Sequence, residues 1–169
     1  GSDCRFDLAD VRTIEIAPTY DLVMMIYGQF DTFALSEVKA ILHTARSVLS
    51  VNGRLLLEVH SIDAVRGIGS KKATWKLEKS GLFSSETHLL LSESFWEAAN
   101  RIAMARWFVL RPDSQPEQFG ITTVGRTREQ FKTLLREVGF EIDAWYDVWP
   151  HQMKAPNGFH ILVARPIKT

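Results

Sequence analysis

The chain has 169 residues, 46% hydrophobic and 24% charged, an ordinary composition for one globular domain with its own core. Twenty lysines and arginines balance twenty aspartates and glutamates, so no global field favours nucleic acid or an anionic membrane surface. Cys4 is the single cysteine, which excludes intramolecular disulfides, and no apolar run approaches the roughly 20 residues of a membrane span. His43, His60, His88, His151 and His160 show no metal-ligand spacing. These features predict a cytoplasmic protein without metal, nucleic-acid or membrane partners. Gly1-Ser2 in place of an initiator methionine resembles a tag-cleavage scar, so the chain is expected to be a truncated form.

In chain order, residues 5–10 alternate as a strand does. Residues 20–26 follow Pro18 as a near-continuous apolar run, which suits a strand buried on both faces. Leu35, Val38, Ile41, Leu42, Ala45, Val48 and Leu49 recur at helical steps and predict one apolar stripe. Ser36 is the expected cap, and Asn52-Gly53 the expected left-handed stop. Residues 54–60 then read as a second buried strand. Strand, helix and strand in that order form a parallel crossover.

From 61 to 123 the pattern changes. Gly67, Gly69 and Ser70 are expected to break the chain, and short runs at 74–78, 88–97, 101–110 and 120–124 read as strands. Ala98-Ala99-Asn100 joins the middle two as a hairpin, and Pro112 and Pro116 lie in a polar loop. Thr127 and Gln130 make a capping box, Phe131, Leu134, Leu135 and Val138 a buried stripe, and Gly139 a helix stop. Strands at 140–148 and 158–165 close the chain, with Pro150 and Pro156 between them.

These elements resemble the latter part of the class I S-adenosylmethionine (SAM)-dependent methyltransferases. Tyr20-Asp21-Leu22-Val23 is similar to the start of the family's fourth strand, and residues 49–57 to the turn into its fifth. Where many members have Leu-x-Pro-Gly-Gly, this chain has Val51-Asn52-Gly53 and keeps the glycine. Ala9-Asp10-Val11-Arg12 resembles the end of the third strand, and 127–138 followed by Gly139-Phe140-Glu141 the last helix and sixth strand. The resemblance implies a partial Rossmann-like α/β sheet, parallel except for an antiparallel last strand, formed by 1–60 and 124–169. Residues 61–123 would be an antiparallel β-rich insertion covering the substrate. The family's glycine-rich turn after the first strand is expected upstream of Asp3, and no Gly-x-Gly-x-x-Gly stands in the sequence.

Ligands of open α/β sheets bind at the carboxyl ends of the strands. The resemblance therefore implies SAM contacts at Asp10 and Val11 for adenine and at Tyr27, Gly28, Gln29 and Phe30 near the methyl donor; turn caps are the alternative. His60, ending its strand, is the candidate general base, with Glu58 two residues earlier to orient it. An unreactive hydrogen-bonded histidine is the competing reading. Trp75, Trp96, Trp107, Tyr146 and His151 are the candidate substrate contacts, with core packing as the alternative. The expected activity is methyl transfer to nitrogen or oxygen of a small molecule. Two other readings remain: a non-catalytic fragment that dimerises or exchanges strands through an exposed sheet edge, and half of a nicotinamide-dependent dehydrogenase.

Overall fold

The computed structural model describes residues 4–14, 19–112, 114–147 and 158–167. Strand β1 (Tyr20–Met25) leads through a 3-10 turn at Gln29–Thr32 into helix α1 (Leu35–Val48), and β2 (Leu49–His60) follows. β1 and β2 are adjacent and parallel, Leu22 through Met25 pairing with Arg54 through Leu57. After β2 come α2 (Ile62–Gly69), β3 (Thr74–Glu78), β4 (His88–Glu97), β5 (Ile102–Leu110) and β6 (Glu117–Val124). Helix α3 (Arg128–Glu137) and strands β7 (Phe140–Tyr146) and β8 (Phe159–Pro166) complete the described chain.

Two four-stranded sheets result. The first runs β1-β2-β8-β7, with β8 antiparallel to both of its neighbours, and the second is the antiparallel meander β3-β4-β5-β6. A parallel β1–β2 pair needs its connection to cross a sheet face, and α1 does so by burying Val38, Ile41, Leu42, Ala45 and Val48. Helix α3 adds Phe131, Leu134 and Leu135 to the same core, against Leu55, Leu57 and Val59 of β2. Those three alternate with Leu56, Glu58 and His60, so the last two project from the sheet face away from the α1–α3 core. Leu22 and Met24, in register with Arg54 and Leu56 on that second face, stay about half exposed at 48% and 50%.

Several expectations hold in detail. The hairpin pairs Glu97 with Ile102 across its turn, Thr127 and Gln130 form their reciprocal capping box, and Gly139 is left-handed at φ 82°. Others need correction. Residues 5–10 form no strand: they join neither sheet, although the outer edge of β1 is open, and Phe6 and Leu8 are exposed. The cap position of α1 is Ala34, whose amide donates to Glu37 Oε2 at 2.8 Å, so Ser36 lies inside the first turn. Gly53 is not left-handed: the chain turns extended directly at Leu49, with φ −80° and ψ 136°. Its lack of a side chain serves close approach instead, since a Cβ there would meet Leu49 Cδ2 at 2.9 Å and Tyr20 O at 3.1 Å.

The expected break at Gly67 and Gly69 is helix α2, started by Ser61 Oγ accepting from the Ala64 amide at 3.1 Å. Gly69 lets this helix dock on the second sheet, where a Cβ would lie 2.6 Å from Phe95 O. No described helix is long and apolar enough to cross a membrane.

Candidate functional site

Because β1 and β2 run parallel, their carboxyl ends form one rim. Tyr27 and Gly28 leave β1 in consecutive left-handed conformations, at φ 59° and 64°. For tyrosine this is an uncommon conformation, and Glu58 holds it: Glu58 Oε2 accepts from the Tyr27 amide at 2.5 Å and its carbonyl from the Gly28 amide at 3.2 Å. Glu58 is itself buried, at 6% exposure. It therefore fixes the turn and is not the residue that orients His60.

That residue is Asp31, in the 3-10 turn. Its side chain is 1% exposed, and Oδ2 accepts from the His60 amide at 2.7 Å while lying 3.2 Å from His60 Nδ1. The imidazole is clamped from two further sides. A Cβ on Gly28 would stand 2.0 Å from His60 Cε1, so the ring lies directly on that glycine. Phe159, opposite His60 in the β2–β8 ladder, places its ring centroid 4.5 Å away. On its other oxygen, Asp31 faces Arg126 Nη1 at 3.4 Å. Burial pushes the Arg126 guanidinium below its ordinary value, and the Asp31 charge opposes that shift. Arg126 also lies 5.9 Å from the Phe30 ring centroid and forms part of the wall of a cleft of about 510 Å³ between α1, α3 and the β4–β5 turn.

The other candidates disperse. Tyr27 and Gln29 are exposed on the rim, whereas the Phe30 ring is fully buried in the core, 6.1 Å from Phe131. Asp10 accepts from Arg12, at 2.9 Å from its amide and 2.6 Å from Nη2, and Val11 is exposed beside it. Trp75 pairs with Leu91, and Leu91 with Phe108, on one face of the second sheet; Trp96 and Trp107 project from the other. Trp96 lies under Arg66 of α2, and Trp107 packs on Phe83. The three tryptophans thus form no common wall. Tyr146 is exposed at the end of β7, and His151 lies outside the described residues. Among the described residues no group of three His, Cys, Asp or Glu side chains is arranged to hold a metal ion.

Sequence reading missed Asp31, Arg126 and Phe159. Asp31 had a signal: an acid lying between Phe30 and Phe33, three residues past Gly28. Nothing local marks Arg126 or Phe159, which long-range pairing brings in.

No protein-family model matches the sequence, and no curated protein does either. Solved structures do. A SAM-dependent methyltransferase from Clostridium acetobutylicum superposes with TM-score 0.68 at 10% identity, over 95% of this chain and 63% of that one. The CcbJ methyltransferase from Streptomyces caelestis gives 0.66 at 14% identity, over 95% and 63%. CalS10, a SAM-bound amino pentose methyltransferase from Micromonospora echinaspora, gives 0.54 at 19% identity, over 94% and 63%. The fold is that of the class I methyltransferases. This methyltransferase fold explains the sheet order: β8 inserts antiparallel between β2 and β7, as the resemblance implied for the last strand. The chain spans about 63% of the length of these three structures.

Proposed function

We propose that this chain carries part of a SAM-dependent methyltransferase acting on nitrogen or oxygen of a small molecule, in a cytoplasmic setting, with His60 as general base. The observation supporting this is the clamped His60 ring at the carboxyl end of β2, beside the exposed turn that ends β1. Tyr27, Gly28 and Gln29 are the assigned SAM contacts, with Phe30 anchoring their turn in the core. Asp10 and Val11 are assigned to the adenine; the Asp10–Arg12 pair is a surface pair, weak enough to exchange for a ligand. On this reading the adenine falls to Asp10 and Val11 and the surroundings of the methyl donor to the turn after β1. The glycine-rich turn for the methionine end has no counterpart among these residues.

When bound, SAM supplies a methyl group on an activated sulfonium. The protein's own part is to align the acceptor, exclude water and accept a proton at His60. The insertion 61–123 is assigned as the substrate cover; Trp96 and Trp107, which share one face of its sheet, are its aromatic candidates, Trp75 lies on the opposite face, and Tyr146 and His151 are candidate contacts from outside the insertion. With half the site present, affinity for SAM is expected near ~1 mM, or about −4.1 kcal/mol. Titration of the labelled chain with S-adenosylhomocysteine, followed by amide NMR, tests this. Shifts should concentrate at 27–30 and His60. Absence of shifts there at millimolar ligand would refute the site, and saturation at micromolar ligand would refute its incompleteness.

A second reading has its own observation. β1 is an edge strand with Tyr20, Leu22 and Met24 40–50% exposed, beside a groove of about 250 Å³ lined by Val11, Ile14 and α1 residues. Such an edge suits homodimerisation or strand exchange. Light scattering across a range of concentrations should then show a dimer that Leu22→Lys dissociates; a concentration-independent monomer rules it out.

A further inference from the structure

We propose that Asp31 is a positioning residue that locks His60 into the tautomer protonated at Nδ1, and that Arg126, paired with the other carboxylate oxygen, keeps Asp31 aimed. The inference deepens the reading of His60 as the base and rests on it.

One carboxylate oxygen of Asp31 meets both nitrogens of His60 that face it. Asp31 Oδ2 accepts the backbone amide of His60 at 2.7 Å, and a backbone amide can only donate. The same Oδ2 lies 3.2 Å from His60 Nδ1. A nitrogen lone pair facing that oxygen would place two acceptors together, so the Nδ1 position carries the proton. The neutral ring then keeps its lone pair on Nε2, which has no hydrogen-bond partner among the described residues. A base that takes its proton at a defined atom needs this arrangement.

The ring cannot escape by turning. Gly28 lies against Cε1 and Nδ1, where even a methyl group would overlap, and Phe159 closes the next side. Arg126 supplies the remaining condition. A buried carboxylate is costly unless it is paired, and a carboxyl group turned about its own axis would no longer present Oδ2 to both His60 nitrogens. Arg126, 9% exposed and 3.4 Å from Oδ1, supplies the compensating charge on the oxygen that His60 does not use. The two oxygens are thus divided between two tasks. In the proposed step the acceptor's N–H or O–H bond breaks and an Nε2–H bond forms. The resulting imidazolium lies beside the Asp31 carboxylate until solvent removes the proton.

Long-range proton–nitrogen correlation spectra of the nitrogen-15-labelled chain test this above the ordinary histidine titration range, about 6.5. The expected pattern for His60 is a protonated, pyrrole-type Nδ1 and an unprotonated, pyridine-type Nε2. The reverse pattern, or the averaged signal of a free imidazole, overturns the proposal whether or not any variant folds. In folded Asp31→Ala the single pattern should give way to a mixture of tautomers; a folded variant that keeps the pattern also overturns it. His60→Asn separates this inference from the reading beneath it. If that variant still transfers labelled methyl from SAM to a panel of amines and alcohols, the base assignment falls while the tautomer result stands.

Discussion

Gly28→Ala concentrates the logic of the site in one methyl group. The added Cβ would lie 2.0 Å from His60 Cε1, 2.4 Å from His60 Nδ1 and 2.7 Å from Phe159 Cε1. It would also hold an L-residue at φ 64°, in line with Tyr27 already at 59°. The left-handed conformation costs ~1–2 kcal/mol and overpacking ~1–3 kcal/mol, about 2–5 kcal/mol together. With a urea slope of ~2 kcal/mol/M, the unfolding midpoint should fall by ~1–2.5 M. If the imidazole swings aside to relieve the clash, it leaves Asp31, and the His60 ring signals move. Gly67→Ala is the control, because its Cβ would meet nothing within 4 Å on an exposed helix position. There the lower entropy of alanine should stabilise α2 by ~0.5–1 kcal/mol. A Gly28→Ala protein with an unchanged midpoint and unchanged His60 signals would refute the packing described for the rim.

Phe131→Ala removes a fully buried ring that joins Phe30, at 6.1 Å, to Trp145, at 5.8 Å, and should cost ~3–5 kcal/mol in denaturant unfolding. A loss below ~1 kcal/mol would mean that α3 does not carry the core. Thr127→Ala removes the oxygen that accepts the Gln130 amide at 3.2 Å, and stability should drop by ~0.5–2 kcal/mol with early amide exchange in the first turn of α3. Asp10 is held down at about 2, first by the Arg12 side-chain hydrogen bond and then by the Arg12 amide. A depressed acid stabilises the fold above its ordinary 3.8 and loses that contribution as pH falls through about 2. Carboxyl-carbon NMR should therefore show Asp10 titrating late, and Arg12→Ala should return it toward 3.8; no change in that variant would refute the pair.

Much of the architecture was legible in the chain because it is written in periodicity. The stripes at Val38, Ile41, Leu42 and Ala45 and at Phe131, Leu134 and Leu135 fall at the buried positions, and the apolar runs at 20–26 and 54–60 are the parallel pair. Local hydrogen-bond chemistry was equally readable at Thr127 and Gln130, because a capping box closes within four residues. Helix α2 escaped notice because two of its eight residues are glycines, which propensity scores against helix. Docking on the second sheet overrides that penalty and requires one of them, Gly69, against Phe95 O.

The site was legible only in outline. A histidine at a strand end and a glycine leaving its neighbour strand marked the rim. Which acid serves the histidine did not follow from their order: Glu58, two residues away on the same face, turns to the Tyr27 amide, while Asp31, 29 residues away, reaches the imidazole. Asp10 failed as a strand end because a strand needs a neighbour to hydrogen-bond, and residues 4–10 have none. Side-chain pattern thus settled most of the helices and strands, and which faces of α1 and α3 turn inward. Their juxtaposition decided the rest, since the ladders that bring Phe159 beside His60, and the packing that brings Arg126 to Asp31, join residues roughly a hundred positions apart.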